Sequence, residues 1–300
     1  MKLGVNILNF GPGGSPDSLR GWARFAEQAG FSIAMISDRG PLTPDVQARY
    51  PAPFYDPFVT LAWLAGQTEH IELGTTVALL PYRNPLLTAR MAANIDQFSR
   101  GRLVLGVGVG WSEPEYAALG VPFGQRGAIT DEYLAAIKEL WTNEVASMNG
   151  RFVSFREVRT GPGPARRPHP PIWVGGSSAA AIRRAARFGD AWHPIDPRLD
   201  WLRESGLPSL RAAAKAAGRP PPALCPRINL HLEAGDLDQD RRRTGVGSLP
   251  QVLRDLEELA ALGSEYVVFD TYRGRPEDYR PAEEDWRMLE AVAARCLQRD

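Results

Sequence analysis

Short apolar runs alternate with longer amphipathic ones along nearly the whole chain. The short runs predict buried strands over Leu3–Leu8, Ile33–Ser37, Ile71–Leu80, Leu103–Val109, Ile172–Val174, Ala191–His193, Arg227–Glu233 and Tyr266–Asp270. Between them, helices are predicted over Asp17–Ala29, Pro57–Gln67, Leu86–Phe98, Arg126–Trp141, Ala179–Phe188, Leu199–Ala217, Pro250–Leu262 and Glu284–Leu297. Gly30 and Arg100-Gly101 punctuate helix ends, and Asp38–Tyr55 reads as a long loop. One stretch breaks the rhythm. Within Val145–Arg159 the alternating segment Gly150–Phe155 looks like half of a small hairpin, and a proline-rich connector, Pro162–Pro171, follows.

Strict alternation of strand and helix implies a parallel sheet. Eight such units imply closure into a (β/α)8 TIM barrel, an α/β fold with a hairpin-and-connector excursion around residues 144–171. An open doubly wound sheet is the competing topology. Residues 1–300 are expected to form a single domain, a normal length for a barrel.

Composition narrows the function classes. Hydrophobic residues make up 44% and charged residues 23%, as in a folded globular chain. Lys plus Arg equals Asp plus Glu at 35 each, so no global charge favours nucleic acid or an anionic membrane as partner. Cys225 and Cys296 are far apart, show no metal spacing and are expected as reduced thiols. The apolar stretch after Met1 is too short for a secretory signal, and no run approaches eighteen apolar residues. A cytoplasmic protein acting on a small molecule is the expectation.

In barrel enzymes the active site lies beyond the C-terminal ends of the strands. Three of those positions are unusual. Leu105–Trp111 alternates glycine with valine, and glycine inside a strand marks close approach of a ligand or another backbone, or merely a crowded interior. Gly175-Gly176-Ser177-Ser178 joins a buried strand to an alanine-rich helix. This is either an anion site for a phosphate or an ordinary serine N-cap. Asp38-Arg39 follows a buried strand directly, which makes both residues candidates for substrate or cofactor contact.

These segments, with Ser99–Trp111, Gly120–Phe123, Leu140–Thr142, Pro168–Gly176 and Gly189–Pro194 in that order, resemble the luciferase-like flavin and deazaflavin oxidoreductases from Lys2 to Asp270. The resemblance implies a non-proline cis peptide at Thr76-Val77 against the cofactor ring. It also implies backbone approach at Gly108 and Gly110, with Trp111 beside them, a phosphate cradle at Gly175, Gly176 and Ser177, and Asp38 in the pocket wall. By the same resemblance the cofactor is coenzyme F420, with FMN as the alternative, and a homodimer is admitted by family analogy. Two departures matter. Arg39 stands where many relatives have a proton-handling histidine, and arginine cannot serve as a base at neutral pH but can clamp an anion. Trp111 stands where sugar-phosphate dehydrogenases of the family carry a glutamate, which disfavours that substrate.

Of the four histidines, His193 ends a strand and is the best replacement proton donor. His70 is expected to be structural, His169 to face solvent, and His231 to sit in a strand. There is no HExxH, no carboxylate cluster and no GxSxG, so neither a metal nor a serine nucleophile is expected. Arg241–Arg243 reads as a solvated loop. The leading expectation is hydride transfer between F420 and a small organic substrate, with Asp38, Arg39 and His193 nearest the chemistry. An FMN-dependent monooxygenase and a non-catalytic, ligand-binding barrel are the alternatives.

Overall fold

The computed structural model describes residues 1–239 and 241–297. Its centre is a parallel sheet in which neighbours run Ala223–Leu224, Ala191–His193, Ile172–Gly175, Leu103–Gly108, Glu72–Thr75, Ile33–Ile36, Lys2–Ile7, Tyr266–Asp270 and Arg227–Asn229. Only Cys225 and Pro226 separate the first of these strands from the last, so the sheet curls until its two ends belong to one segment. Cys225 N donates to Trp192 O at 2.9 Å and Arg227 N to Pro194 O at 2.9 Å, which continues the ladder along that segment.

Side-chain alternation divides the strands between two cores. Ala34, Ile36, Leu103, Leu105, Val107, Ile172 and Val174 face the surrounding helices in the larger core. Ile33, Met35, Val104, Trp173, Tyr266 and Val268 meet one another in a smaller core inside the curl. Strands covered on both faces explain why Leu103–Gly108 is buried at every position. The helices start on local signals. Ser15, Asp56 and Asn84 each accept a backbone N–H of the first turn, with proline at the next position.

Several predicted elements are divided. Ile71–Leu80 becomes Glu72–Thr75 and Ala78–Leu79, separated by a cis peptide bond between Thr76 and Val77. Arg227–Glu233 becomes Arg227–Asn229 and His231–Leu232, and the second piece pairs with Val246–Gly247 outside the main sheet. The loop after residue 37 contains a short helix, Pro44–Gln47, and an unpredicted helix, Glu113–Ala118, follows Trp111 almost at once. The half-hairpin is completed upstream, since Ala146–Asn149 pairs antiparallel with Ser154–Val158. Glu132 ties this hairpin to its helix by accepting from the backbone N–H groups of Arg151, Phe152 and Val153. No described helix is long and apolar enough to cross a membrane.

Candidate active site

The strand ends converge on a cavity lined by Ser37, Asp38, Arg39, Tyr50, Thr76, Val77, Leu79, Gly108–Trp111, Gly175, Gly176, Ile195 and Arg227. Every predicted site residue lies on it except His193 and Ser177.

Its floor is Val77. A Cβ on Gly108 would lie 2.5 Å from Val77 Cγ2, and one on Gly175 would lie 3.0 Å from Val77 Cγ1. One on Gly106 would lie 1.9 Å from the Thr75 carbonyl oxygen. The strand glycines therefore clear space first for the chain's own segment 75–77, which lifts a half-buried valine into the cavity. Gly110 is required for a second reason, its φ of +68°.

Below the floor runs a buried polar network. Arg227 Nη1 donates to Thr76 O at 2.7 Å, while its Nε and Nη2 reach Asp270 Oδ2 at 3.1 and 2.5 Å. Asp270 Oδ1 accepts from Asn6 Nδ2 at 3.0 Å and from Tyr272 N at 3.1 Å. His193 is fully buried here, with Nε2 2.9 Å from Thr76 Oγ1 and Nδ1 2.5 Å from the Cys225 carbonyl. A carbonyl only accepts, so Nδ1 carries the proton and Nε2 accepts from the Thr76 hydroxyl. Burial, with Arg227 nearby, pushes His193 down to about 4. The geometry thus makes His193 a neutral support for Thr76 and keeps it off the cavity wall.

Asp38 is likewise engaged. Arg83 donates to its two oxygens at 2.5 and 2.8 Å, and Leu79 N donates at 2.8 Å. Burial pushes its carboxyl above the ordinary range, against the opposing pull of Arg83. The pair pins the loop after Ile36 to the segment after Val77, leaving Asp38 poorly placed as a free base.

Arg39 lies in the cavity wall, its guanidinium 4.8 Å from the ring centres of both Tyr50 and Trp111. Its Nη1 donates to Glu115 at 3.3 Å, and the same carboxylate accepts from Gly40 N at 2.8 Å and from the Tyr82 hydroxyl at 3.0 Å. Glu115 is completely buried at the start of the unpredicted helix, whose cap, Ser112, accepts its backbone N–H at 3.2 Å. The Ser112-x-x-Glu115 spacing is a helix-start signature that could have marked both. Arg83, Arg227 and Tyr50 carried no such signal.

At the fourth wall Gly176, with φ +104°, turns the chain from its strand into the helix Ala179–Phe188. Ser178 caps that helix by accepting Ala181 N at 3.2 Å, whereas Ser177 is exposed outside the cavity. The cap and the anion site are compatible, because capping uses one of the free amides of the first turn.

Of the other histidines, His70 and His169 correct their expectations, while His231 lies in the strand His231–Leu232 as expected. His70 is exposed, His169 packs on Trp141 with Nδ1 2.8 Å from Pro170 O, and His231 meets Arg280 at 2.8 Å. Arg242, expected in a solvated loop, is buried in a two-point ion pair with Asp255 at 2.6 and 2.5 Å. Cys225 is buried, Cys296 is exposed, and neither forms a disulfide.

The chain is 30% identical over 253 residues to the FMNH2-dependent dimethylsulfone monooxygenase of Pseudomonas putida, covering 83% of this chain and 66% of that protein. The matched stretches span about two thirds of the length of the curated relatives. Among solved structures, the monooxygenase RslO1 from Streptomyces bottropensis superposes with a TM-score of 0.80 at 23% identity, over 98% of each chain. The coenzyme F420-dependent tetrahydromethanopterin reductase from Methanopyrus kandleri does so with 0.78 at 16% identity, over 97% of each. The model of the luciferase-like monooxygenases matches residues 1–288, and the chain belongs to that family.

Proposed function

We propose that this protein is an oxidoreductase that binds coenzyme F420 in the cavity over Val77 and exchanges hydride with a small organic substrate. The observation that carries the proposal is the floor itself. Gly108 and Gly175 leave room for Val77 alone, so an apolar side chain rises between two strand ends and can support the face of a planar ring. The turn at Gly175-Gly176 into a helix start supplies backbone donors and a favourable dipole for a phosphate. Bound F420 would supply the hydride chemistry. Val77, Leu79 and Trp111 would orient the ring and exclude water, and Arg227 would hold the floor by its bond to Thr76 O.

FMN-dependent oxygenation is the second proposal, favoured by the 30% identity to an FMNH2-dependent monooxygenase. Parallel titrations of the purified protein with F420 and FMN test the choice. Micromolar or tighter F420 binding with weaker FMN binding supports the first, and the reverse order replaces it with the second. Saturable binding with no turnover of any substrate would favour the non-catalytic barrel.

The same proposal takes the curled sheet as a closed (β/α)8 barrel forming one domain in the cytoplasm. It takes the assembly as a homodimer, supported by Val59, Leu87 and Phe98 standing 71%, 60% and 63% exposed on the helices Pro57–Ala65 and Pro85–Phe98. Light scattering of the eluted protein tests the assembly.

A further inference from the structure

We propose that the substrate is a small organic carboxylate, and that Arg39 and Arg49 select it for its charge. This deepens the proposed function and rests on the cavity being the site of cofactor and substrate.

Arg39 is held with most of its donors unused. Its guanidinium lies near the rings of Tyr50 and Trp111, and its side chain is only 9% exposed. Among the described residues, Glu115 is its one hydrogen-bond partner, through Nη1 at 3.3 Å. A guanidinium has five N–H donors, and those of Arg39 that no protein group takes are open to the cavity it lines. Stacking occupies the face of the group and leaves its edges, which match a carboxylate in shape and charge. Glu115 takes only the Nη1 edge of Arg39, and its oxygens also serve Gly40 N and the Tyr82 hydroxyl.

Arg49, exposed and outside the residues that line the cavity, adds a second charge against the same Trp111 ring. Its guanidinium carbon is 4.9 Å from the Trp111 ring centre, where that of Arg39 is 4.8 Å away, so the two lie within 10 Å of each other. That is close to the Debye length of about 8–10 Å at 0.15–0.1 M salt, so Arg49 adds to the positive potential around Arg39. Arg49 pairs with no carboxylate among the described residues. Elsewhere on the cavity the charges are matched, with Asp38 against Arg83 and Arg227 against Asp270. Near Trp111 the Glu115 carboxylate meets Arg39 alone, and the Arg49 charge is left over. Val77, Leu79 and Val109 line the same cavity and suit an apolar body attached to the acid.

The test is calorimetric titration of the full chain, alone and saturated with F420 or FMN. The probes are three acid and amide pairs of matched shape: propionate and propionamide, benzoate and benzamide, phenylacetate and phenylacetamide. At least one acid is expected to bind about tenfold or more tightly than its amide, as a charge-assisted two-point contact allows. Arg49→Gln, an exposed change that should not disturb folding, is expected to cut that preference about fivefold, as a partly screened charge does. Arg39→Gln is expected to abolish it, and cofactor affinity should stay unchanged in Arg49→Gln. Failure of every acid to bind better than its amide overturns the proposal, and so does a preference that survives both substitutions. Loss of cofactor affinity in the variants, without loss of acid preference, also overturns it, by assigning the guanidiniums to the cofactor's own acidic groups. Acid preference in a protein that binds neither cofactor would sink the proposed function and leave the carboxylate site standing.

Discussion

Gly108 and Val77 are packed so closely that a Cβ added to the glycine would lie 2.5 Å from Val77 Cγ2. Gly108→Ala must therefore push Val77 upward into the cavity or force the strand apart. Overpacking of this kind costs about 1–3 kcal/mol. Urea denaturation should register that loss, and cofactor titration should weaken with it. Truncating the neighbour in Gly108→Ala/Val77→Ala should restore most of the stability. Gly106→Ala should have no such rescue, because its clash is with the Thr75 backbone oxygen at 1.9 Å. A Gly108→Ala protein as stable as the wild type would show that Val77 moves aside freely.

That pair also marks how far the sequence could be read. Glycines spaced along Leu105–Trp111 left close approach and simple crowding open, and the structure resolves the question toward close approach, by segment 75–77 of the same chain. The strand ends were legible because parallel strands buried on both faces stand out as apolar runs. The charges beneath and beside the cavity were not. Glu115, Arg83 and Arg227 look like ordinary polar residues until the fold pairs them across 76, 45 and 43 positions with Arg39, Asp38 and Asp270. His193 was legible as the end of a strand, but a strand end does not say which face its side chain takes, and here it turns beneath the floor.

Burial of His193 makes a prediction about acid stability. The folded value is about 4, against about 6.5 for an unfolded histidine. Between those values the unfolded chain takes up a proton that the folded chain refuses. Stability that is full above about pH 6.5 therefore falls with pH and levels off near the folded value, a loss of about 3 kcal/mol in all. Asp285, raised to about 7 by burial, has the opposite slope over an overlapping range but is present in any variant. The comparison is thus between wild type and His193→Gln, by denaturant unfolding from pH 7.5 to 4.5. The two curves should converge as the pH falls. Parallel curves would mean that His193 titrates alike in both states.

Gly176 tests the phosphate cradle, with a control that the backbone demands. At φ +104° any side chain is strained, and its Cβ would also lie 3.0 Å from that of Ala181. Such a conformation costs an L-residue about 1–2 kcal/mol. Gly176→Ala therefore measures strain alone, while Gly176→Asp adds a negative charge where a phosphate is expected. Both should lose similar stability, and Gly176→Asp should bind cofactor about tenfold more weakly than Gly176→Ala, the effect of about 1.4 kcal/mol of repulsion. Equal affinities would move the phosphate elsewhere.

Glu115 is the residue on which the wall around Arg39 depends. Its buried carboxylate receives Arg39, the Gly40 backbone and the Tyr82 hydroxyl at 3.3, 2.8 and 3.0 Å. Glu115→Ala strands all three donors, one of them charged, and removing one partner of a buried ion pair costs about 3–5 kcal/mol. Glu115→Gln keeps an acceptor oxygen while removing the charge, so its loss should fall between alanine and wild type. The ion pair can be isolated by adding Arg39→Met to each protein, since a double-mutant cycle reads only the coupled part. With Arg39 gone, Glu115→Ala should cost less, and the difference is the strength of the pair. Unfolding in urea supplies all the stabilities. A Glu115→Ala loss within about 0.5 kcal/mol of zero, the range of an ordinary surface substitution, would mean that Arg39 and the loop after it are held by their aromatic contacts alone.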